Sequence, residues 1–259
     1  MNRKMRNQFL AYLWRIGFIL LSVGFVVQTS FAQTYPAWFL EQGTVCAGRV
    51  TVGYADPSYY PDSSISRAAK NARENFGRQL KTHVQGGQLF WATEGGTYWM
   101  GADFREQYDT AASESALSLL VSVDSLVNSS MTLVLLTDRT CQIDRAALQR
   151  VALSGDAPRW TETLPQDGQY FYAVGVASEY YYEMSSWNAA ERNARRNLAR
   201  SVVVAVASLQ KLSSHEGQDI RREEIAVSLH QIEVVARWRD RVNGIFYVLL
   251  RAPKEGNTR

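Results

Sequence analysis

Residues 174–187 read VGVASEYYYEMSSW, and residues 52–65 read VGYADPSYYPDSSI. Sliding the chain by 122 positions aligns residues 52–84 with 174–206 without a gap, and 14 of the 33 pairs are identical. Among them are Val52/Val174, Gly53/Gly175, Tyr59/Tyr181, Tyr60/Tyr182, Ser64/Ser186, Ala68/Ala190, Asn71/Asn193, Ala72/Ala194, Asn75/Asn197 and Arg78/Arg200. The same offset pairs Pro36 with Pro158 and Trp38 with Trp160, so each copy opens on a Pro-x-Trp segment. An ungapped match of this kind predicts one structural unit written twice.

Each copy reads as strand, loop, helix and hairpin. Val50, Val52 and Tyr54 alternate as a strand requires, as do Tyr172, Val174 and Val176, and each strand carries a glycine where a side chain would crowd a neighbour. Ser63-Ser64 and Ser185-Ser186 stand where a hydroxyl caps the first free amides of a helix. Steps of three and four then place Ile65, Ala68, Ala72, Phe76, Leu80 and Val84 on one helical face, matched by Trp187, Ala190, Ala194, Leu198, Val202 and Val206. The several alanines predict a helix lying close on a sheet. Arg73, Arg78, Arg195 and Arg200 fall on the opposite face, which is expected to be solvated.

A hairpin is expected to close each copy. In the second, Ile232, Val234, Ala236 and Trp238 alternate, Val242-Asn243-Gly244 turns, and Ile245–Leu250 returns; in the first, Leu117, Leu119, Val121 and Val123 lead through Val127-Asn128-Ser129 to Met131–Leu136. Between helix and hairpin the copies diverge. The first carries QLFWATEGGTYWMGADF, an extra aromatic hairpin around Glu94-Gly95-Gly96, and the second the polar SSHEGQDIRREE. The expected class is therefore α+β: two tandem β-α-β-β units, each an antiparallel sheet with one amphipathic helix across it, whose sheets can also join into one layer. The units span residues 33–138 and 166–259, with a linker at 139–165.

The first 32 residues are a separate element. Arg3, Lys4, Arg6 and Arg15 precede an apolar run from Ile16 to Val27, no acid is present, and Ser30-Phe31-Ala32 supplies small residues for cleavage. This predicts a signal peptide cut after Ala32, the alternative being a retained anchor. Without it, 24 Lys and Arg face 25 Asp and Glu, so the basicity of the whole chain belongs to the export segment and nucleic-acid binding loses its electrostatic support. The product is expected to be periplasmic or secreted, with membrane association peripheral at most. Cys46 and Cys141 are the two cysteines, and neither directly follows the apolar run where a lipid would be attached, so the exported chain is read as not lipidated. An even pair in an oxidising compartment points to a Cys46–Cys141 disulfide, against two buried free thiols.

Catalytic patterns are hard to find. His83, His215 and His230 share no ligand spacing with one another or with the cysteines, which argues against zinc. There is no Gly-x-Ser-x-Gly elbow and no phosphate-binding glycine loop. Asp138 and the pair Glu223-Glu224 are available carboxylates without a pattern. No cofactor is expected. The tyrosines Tyr59, Tyr60, Tyr180, Tyr181 and Tyr182 admit two accounts: a hydrophobic lid closing the helix on the sheet edge, which is preferred, or rings presented to a partner. Trp91, Tyr98 and Trp99 of the inserted hairpin are further candidate partner contacts.

The Pro-x-Trp opening, the Val-Gly-x-Ala strand, the helix NAAERNARRNLARSV and the closing VARWRDRVNGIFYVLLRAP resemble the Helicobacter surface-lipoprotein family of the Lpp-twenty type, related to the N-terminal domain of the flagellar T-ring assembly protein. The resemblance covers most of residues 160–252 and, more loosely, 36–137. It implies an envelope-associated, non-enzymatic binding or assembly domain whose partners are other envelope proteins or the protein itself; the chain departs from the family in lacking the lipidated cysteine. The competing expectation is a secreted hydrolase with its site between the two copies, which would gather acidic side chains in that cleft. A third is membrane-surface binding through the arginine faces.

Overall fold

The computed structural model describes residues 34–93, 96–153, 155–210 and 220–257. In chain order the first half comprises β1 (Thr34–Pro36), the short helix α1 (Ala37–Leu40), a 3-10 turn at Gln42–Thr44, β2 (Val50–Ala55), α2 (Pro61–Leu80), β3 (Lys81–Thr93), β4 (Gly96–Tyr108), α3 (Thr110–Leu119), β5 (Leu120–Val127) and β6 (Thr132–Asp138). The second half follows with a 3-10 turn at Arg145–Leu148, β7 (Arg150–Ala152), another at Arg159–Thr161, β8 (Tyr170–Ser178), α4 (Glu183–Gln210), β9 (Ile220–His230), β10 (Glu233–Asp240) and β11 (Ile245–Pro253). All strand pairs are antiparallel, so the architecture is of the expected α+β class. The proposed signal segment and the residues Glu94 and Gly95 lie outside the described residues.

Two three-stranded sheets follow one plan. The last strand of each is central: β6 lies between β2 and β5, and β11 between β8 and β10. Val52 stands opposite Leu135, and Val174 opposite Leu249. Even the irregularities correspond, since β5 bulges at Val123 against Leu135 and Leu136, and β10 bulges at Val235 against Leu249 and Leu250.

The strand glycines explain how the helices sit. A methyl group on Gly53 would overlap the backbone of Ala68 and Ala72, and one on Gly175 would overlap Ala190 and Ala194. Each helix therefore crosses its sheet where strand and helix both lack bulk. The serine pairs have a different role from the expected cap. Helix α2 starts on Pro61, whose ring presets the first helical φ, and Tyr60 precedes it without a side-chain cap. Ser64 lies inside the first turn, donating to Pro61 O at 2.8 Å and accepting from Thr132 Oγ1 at 2.9 Å; Ser186 Oγ accepts from the backbone N–H of Tyr180 at 2.8 Å. These hydroxyls fasten the tyrosine loop and the sheet to the helix start.

Helix α3 replaces the first part of an expected strand. Asp109 Oδ1 accepts from Ala112 N at 3.1 Å and caps it, and its alanines favour the helix, so the strand begins only at Leu120. The expected joining of the two sheets into one layer does not occur; a third sheet, ordered β4-β3-β9, carries the connection instead. In it the strand after α2 pairs with the strand after the 211–219 segment, Lys81 opposite His230 through Trp91 opposite Ile220. Residues expected as linker are also structured: β7 pairs with β1, Tyr35 opposite Val151.

The larger core draws on both halves, with Tyr35, Trp38, Phe39, Tyr54, Trp187, Leu198 and Phe246 all buried. A smaller cluster of Ala68, Ala72, Phe76, Ala116, Val134 and Leu136 fills the space between α2, α3 and β6. Cys46 and Cys141 form a disulfide that closes a 95-residue separation. The described residues from Thr34 onward make one compact unit, and among them no helix is long and apolar enough to cross a membrane.

Candidate functional site

The loops that lead from the first strand into the helix of each half present tyrosines to solvent. Tyr59 is 92% exposed and Tyr181 94%, with Tyr60, Tyr180 and Tyr182 also exposed. Tyr59 and Tyr60 meet edge to face at 5.2 Å between ring centroids, and Tyr181 and Tyr182 do so at 4.8 Å. The preferred lid account is thereby overturned, because a lid would bury these rings. The reason is local: Pro61 and Glu183 begin their helices directly after the loops, and Ser186 turns the backbone of Tyr180 back onto the helix. The turn after β10 comes alongside the second loop through Glu179 N–H to Gly244 O at 2.8 Å, and its Val242 is exposed as well.

The inserted hairpin forms from β3 and β4, whose pairing shifts between Leu89 and Phe90 and then sets Phe90 opposite Trp99 and Trp91 opposite Tyr98. The side chains of Trp91, Tyr98 and Trp99 lie outside the described residues. Farther along β4 the alternation is clear: Phe104, Glu106 and Tyr108 face inward and receive arginines from both long helices. The Arg200 and Arg196 guanidinium carbons lie 5.2 and 5.3 Å from the Phe104 ring centroid, Arg195 donates to Glu106 Oε2 at 2.9 and 3.0 Å, and Arg78 stacks on Tyr108 at 4.3 Å. Arg78, Arg195 and Arg200, three of the four arginines expected to be solvated, therefore clamp this strand, and Arg195 is only 9% exposed. The sequence pattern marked these positions as opposite the apolar stripe but did not reveal the strand that covers them.

Where the two halves meet, Arg237 is buried. It donates to Glu191 Oε1 at 2.6 Å, Phe39 O at 2.8 Å and Gln42 Oε1 at 3.1 Å, and its guanidinium carbon lies 4.5 Å from the Phe39 ring centroid. Glu191 also approaches Arg195 at 3.8 Å. The cavity here is about 10 Å³, room for one water. Nearby, Glu183 Oε1 accepts from Tyr35 Oη at 2.5 Å and Trp187 Nε1 at 3.0 Å. Burial, then Glu183, pushes the Tyr35 hydroxyl far above the ordinary tyrosine range; burial, then Glu191, does the same to Tyr54. Sequence reading missed this ionic interior. Strand alternation sets Arg237 on the face opposite Ala236 and Trp238, and Glu191 lies off the apolar stripe of its helix, so neither position is marked for burial in the sequence.

A surface groove of about 460 Å³ runs beside the disulfide, bounded by Arg49, Phe76, Gln79, Asp138, Glu233 and Arg251. Its carboxylates are engaged: Asp138 accepts from Arg49 N–H at 2.8 Å and from Thr140 Oγ1 at 2.8 Å, and Glu233 accepts from Arg251 Nε at 2.6 Å. The Arg49 backbone bond, followed by the Thr140 hydroxyl, lowers the Asp138 pKa. Among the described residues no cluster of three His, Cys, Asp or Glu side chains could hold a metal ion. His83 Nδ1 lies 3.2 Å from Ser228 Oγ, within the third sheet.

No curated protein and no solved structure matches the chain. Residues 158–252 match the model of the LPP20 lipoprotein family, which supports the Lpp-twenty resemblance over the second half and an envelope-associated location.

Proposed function

We propose that this is an exported, non-enzymatic binding or assembly module of the cell envelope, which engages other envelope proteins through its tyrosine loops. The observation that carries the reading is the pair of exposed edge-to-face tyrosine couples, Tyr59–Tyr60 and Tyr181–Tyr182, in corresponding loops of the two halves. Exposed, mutually braced tyrosines offer large apolar area with a hydroxyl at the rim, and little side-chain freedom is lost when a partner covers them. The common strand plan, the corresponding bulges and the matched glycine contacts support reading the chain as two copies of one domain, of which residues 158–252 match the family. Cleavage after Ala32 would release the module. With both cysteines joined to each other, the mature chain is read as unlipidated.

A hydrolase site between the halves has less support. Glu191 there is held by two arginines beside a cavity of about 10 Å³, and the larger groove has its acids tied to Arg49, Thr140 and Arg251.

The test is crosslinking in native envelopes with identification of neighbours, comparing the unaltered chain with Y59S/Y60S and Y181S/Y182S. The expected result is a defined set of envelope neighbours that both tyrosine variants lose while their melting temperatures stay close to that of the parent. Neighbours that persist in both variants would remove the tyrosine loops as the contact.

A further inference from the structure

Open strand edges recruit other strands, and the protein itself bonds to outer-edge backbone groups at several places in its three-stranded sheets. Along β2, Val50 O accepts from Gln42 Nε2 at 3.1 Å, Val52 O from Asn75 Nδ2 at 2.9 Å, and Tyr54 N–H donates to Asn71 Oδ1 at 3.0 Å. Along β8 the corresponding asparagines act again, Asn197 on Val174 O at 2.8 Å and Asn193 on Val176 O at 2.7 Å. Strand β5 is bulged, and Arg150 donates to its Ser125 O at 3.1 Å. Strand β10 is also bulged and is crossed by the turn carrying Gly43, whose backbone lies against Val235. At the end of β9, Asn257 takes both the N–H and the C=O of His230.

Strand β4 presents a long open edge. It runs thirteen residues, Gly96–Tyr108, with a bulge at Met100 and a regular run from Gly101 to Tyr108, and among the described residues no side chain or turn bonds to its outer backbone edge. Its described part is also electrically self-complementary. Asp103 and Arg105 flank Phe104 on the solvent face, with side chains 81% and 80% exposed and only 3.8 Å apart. When two such strands lie antiparallel about a two-fold axis at Phe104, Asp103 of each copy falls opposite Arg105 of the other. The inward Phe104, Glu106 and Tyr108 meanwhile stay on the side already held by arginines.

We propose that the outer edge of β4 is a self-association surface: two copies of the chain pair through it, joining their third sheets into one six-stranded sheet with reciprocal Asp103–Arg105 contacts. This names one partner of the binding module described above and rests on that reading. The protein after removal of its first 32 residues should sediment as a concentration-dependent dimer. D103R and R105D, each placing like charges opposite one another twice, should raise the dissociation constant about tenfold or more, and the combined D103R/R105D should return it to near the parent value. Both side chains are solvent-exposed, and circular dichroism of every variant should match the parent. A monomer at all concentrations, a dimer insensitive to the single reversals, or a double variant that fails to recover would each overturn the proposal. A monomer would leave tyrosine-loop capture of other envelope proteins standing, because the crosslinking experiment reads that contact separately.

Discussion

Arg237 and Glu191 form an ion pair at 2.6 Å inside the core shared by the two halves, with side chains 1% and 6% exposed. Such a pair stabilises only while both members are present. R237M should lower unfolding free energy by about 3–5 kcal/mol, because Glu191 would be left charged in a dry setting. The double variant E191M/R237M should lose distinctly less. Urea titration of the three proteins measures the difference.

The glycines under the helices make a second prediction. G53A and G175A each force a methyl group into helix backbone, with Ala68 and Ala72 in one case and Ala190 and Ala194 in the other. Each should cost about 1–3 kcal/mol or more, against the usual gain from replacing a flexible residue. Thermal unfolding reads it.

Removing Asn197 exposes Val174 O, and removing Asn193 exposes Val176 O. N193A/N197A should destabilise by about 0.5–1.5 kcal/mol per lost bond and should also aggregate faster on storage, since an uncapped β8 edge becomes a template. Light scattering at fixed temperature distinguishes the second effect from the first.

Two titrations follow from the buried groups. Asp124 is partly buried, which raises its pKa, but hydrogen bonds from Arg150 and Trp38 outweigh that and hold it below the ordinary carboxylate value. A depressed folded-state pKa contributes stability that is present above the unfolded value, about 4, and is lost as pH falls through the folded value. D124N should therefore flatten the acid side of the stability profile. At the other extreme, Tyr35 and Tyr54 are raised by burial, so their contribution is present below about pH 10 and is lost as pH rises further. Tyr35 and Tyr54 should ionise only together with unfolding, so the alkaline rise in phenolate absorbance from these two residues should coincide with loss of the folded circular-dichroism signal.

Reduction should weaken the fold more than most single substitutions. The Cys46–Cys141 bond spans 95 residues, and losing it should cost about 2–5 kcal/mol. Intact mass before and after reduction under denaturing conditions checks the bond, and a melting curve with reductant checks its weight.

The strands and helices around the matched segments were legible because their spacing is local. Val52, Gly53, Ala68 and Ala72 recur as Val174, Gly175, Ala190 and Ala194, and the structure gives each pair the same contact. The asparagine pairs were visible as identities at four-residue spacing, but their purpose depends on where the strand edge lies. Helix α3 was hidden because Leu117 and Leu119 are two apart, a step that fits a strand, while the cap at Asp109 lies outside that window. Arg195 was assigned to water because helical periodicity describes one helix and one sheet, and the covering strand comes from the other half of the chain. Of the contact positions, Tyr59, Tyr60, Tyr180, Tyr181 and Tyr182 prove exposed where a lid was preferred. Their burial turned on the Pro61 and Glu183 helix starts, which composition does not locate.

The pairing of β3 with β9 bears on how the polypeptide acquires its shape. Strand β3 is complete once the first third of the chain has been made, yet its second neighbour arrives only with residues 220–230. A nascent chain must hold that edge, and the cores waiting for Trp187 and Phe246, until the far end emerges. Expression of residues 158–252 alone should give an aggregation-prone fragment, and supplying residues 34–138 in trans should rescue its solubility. The succession of matched segments along the chain is thus a poor guide to where it can be cut.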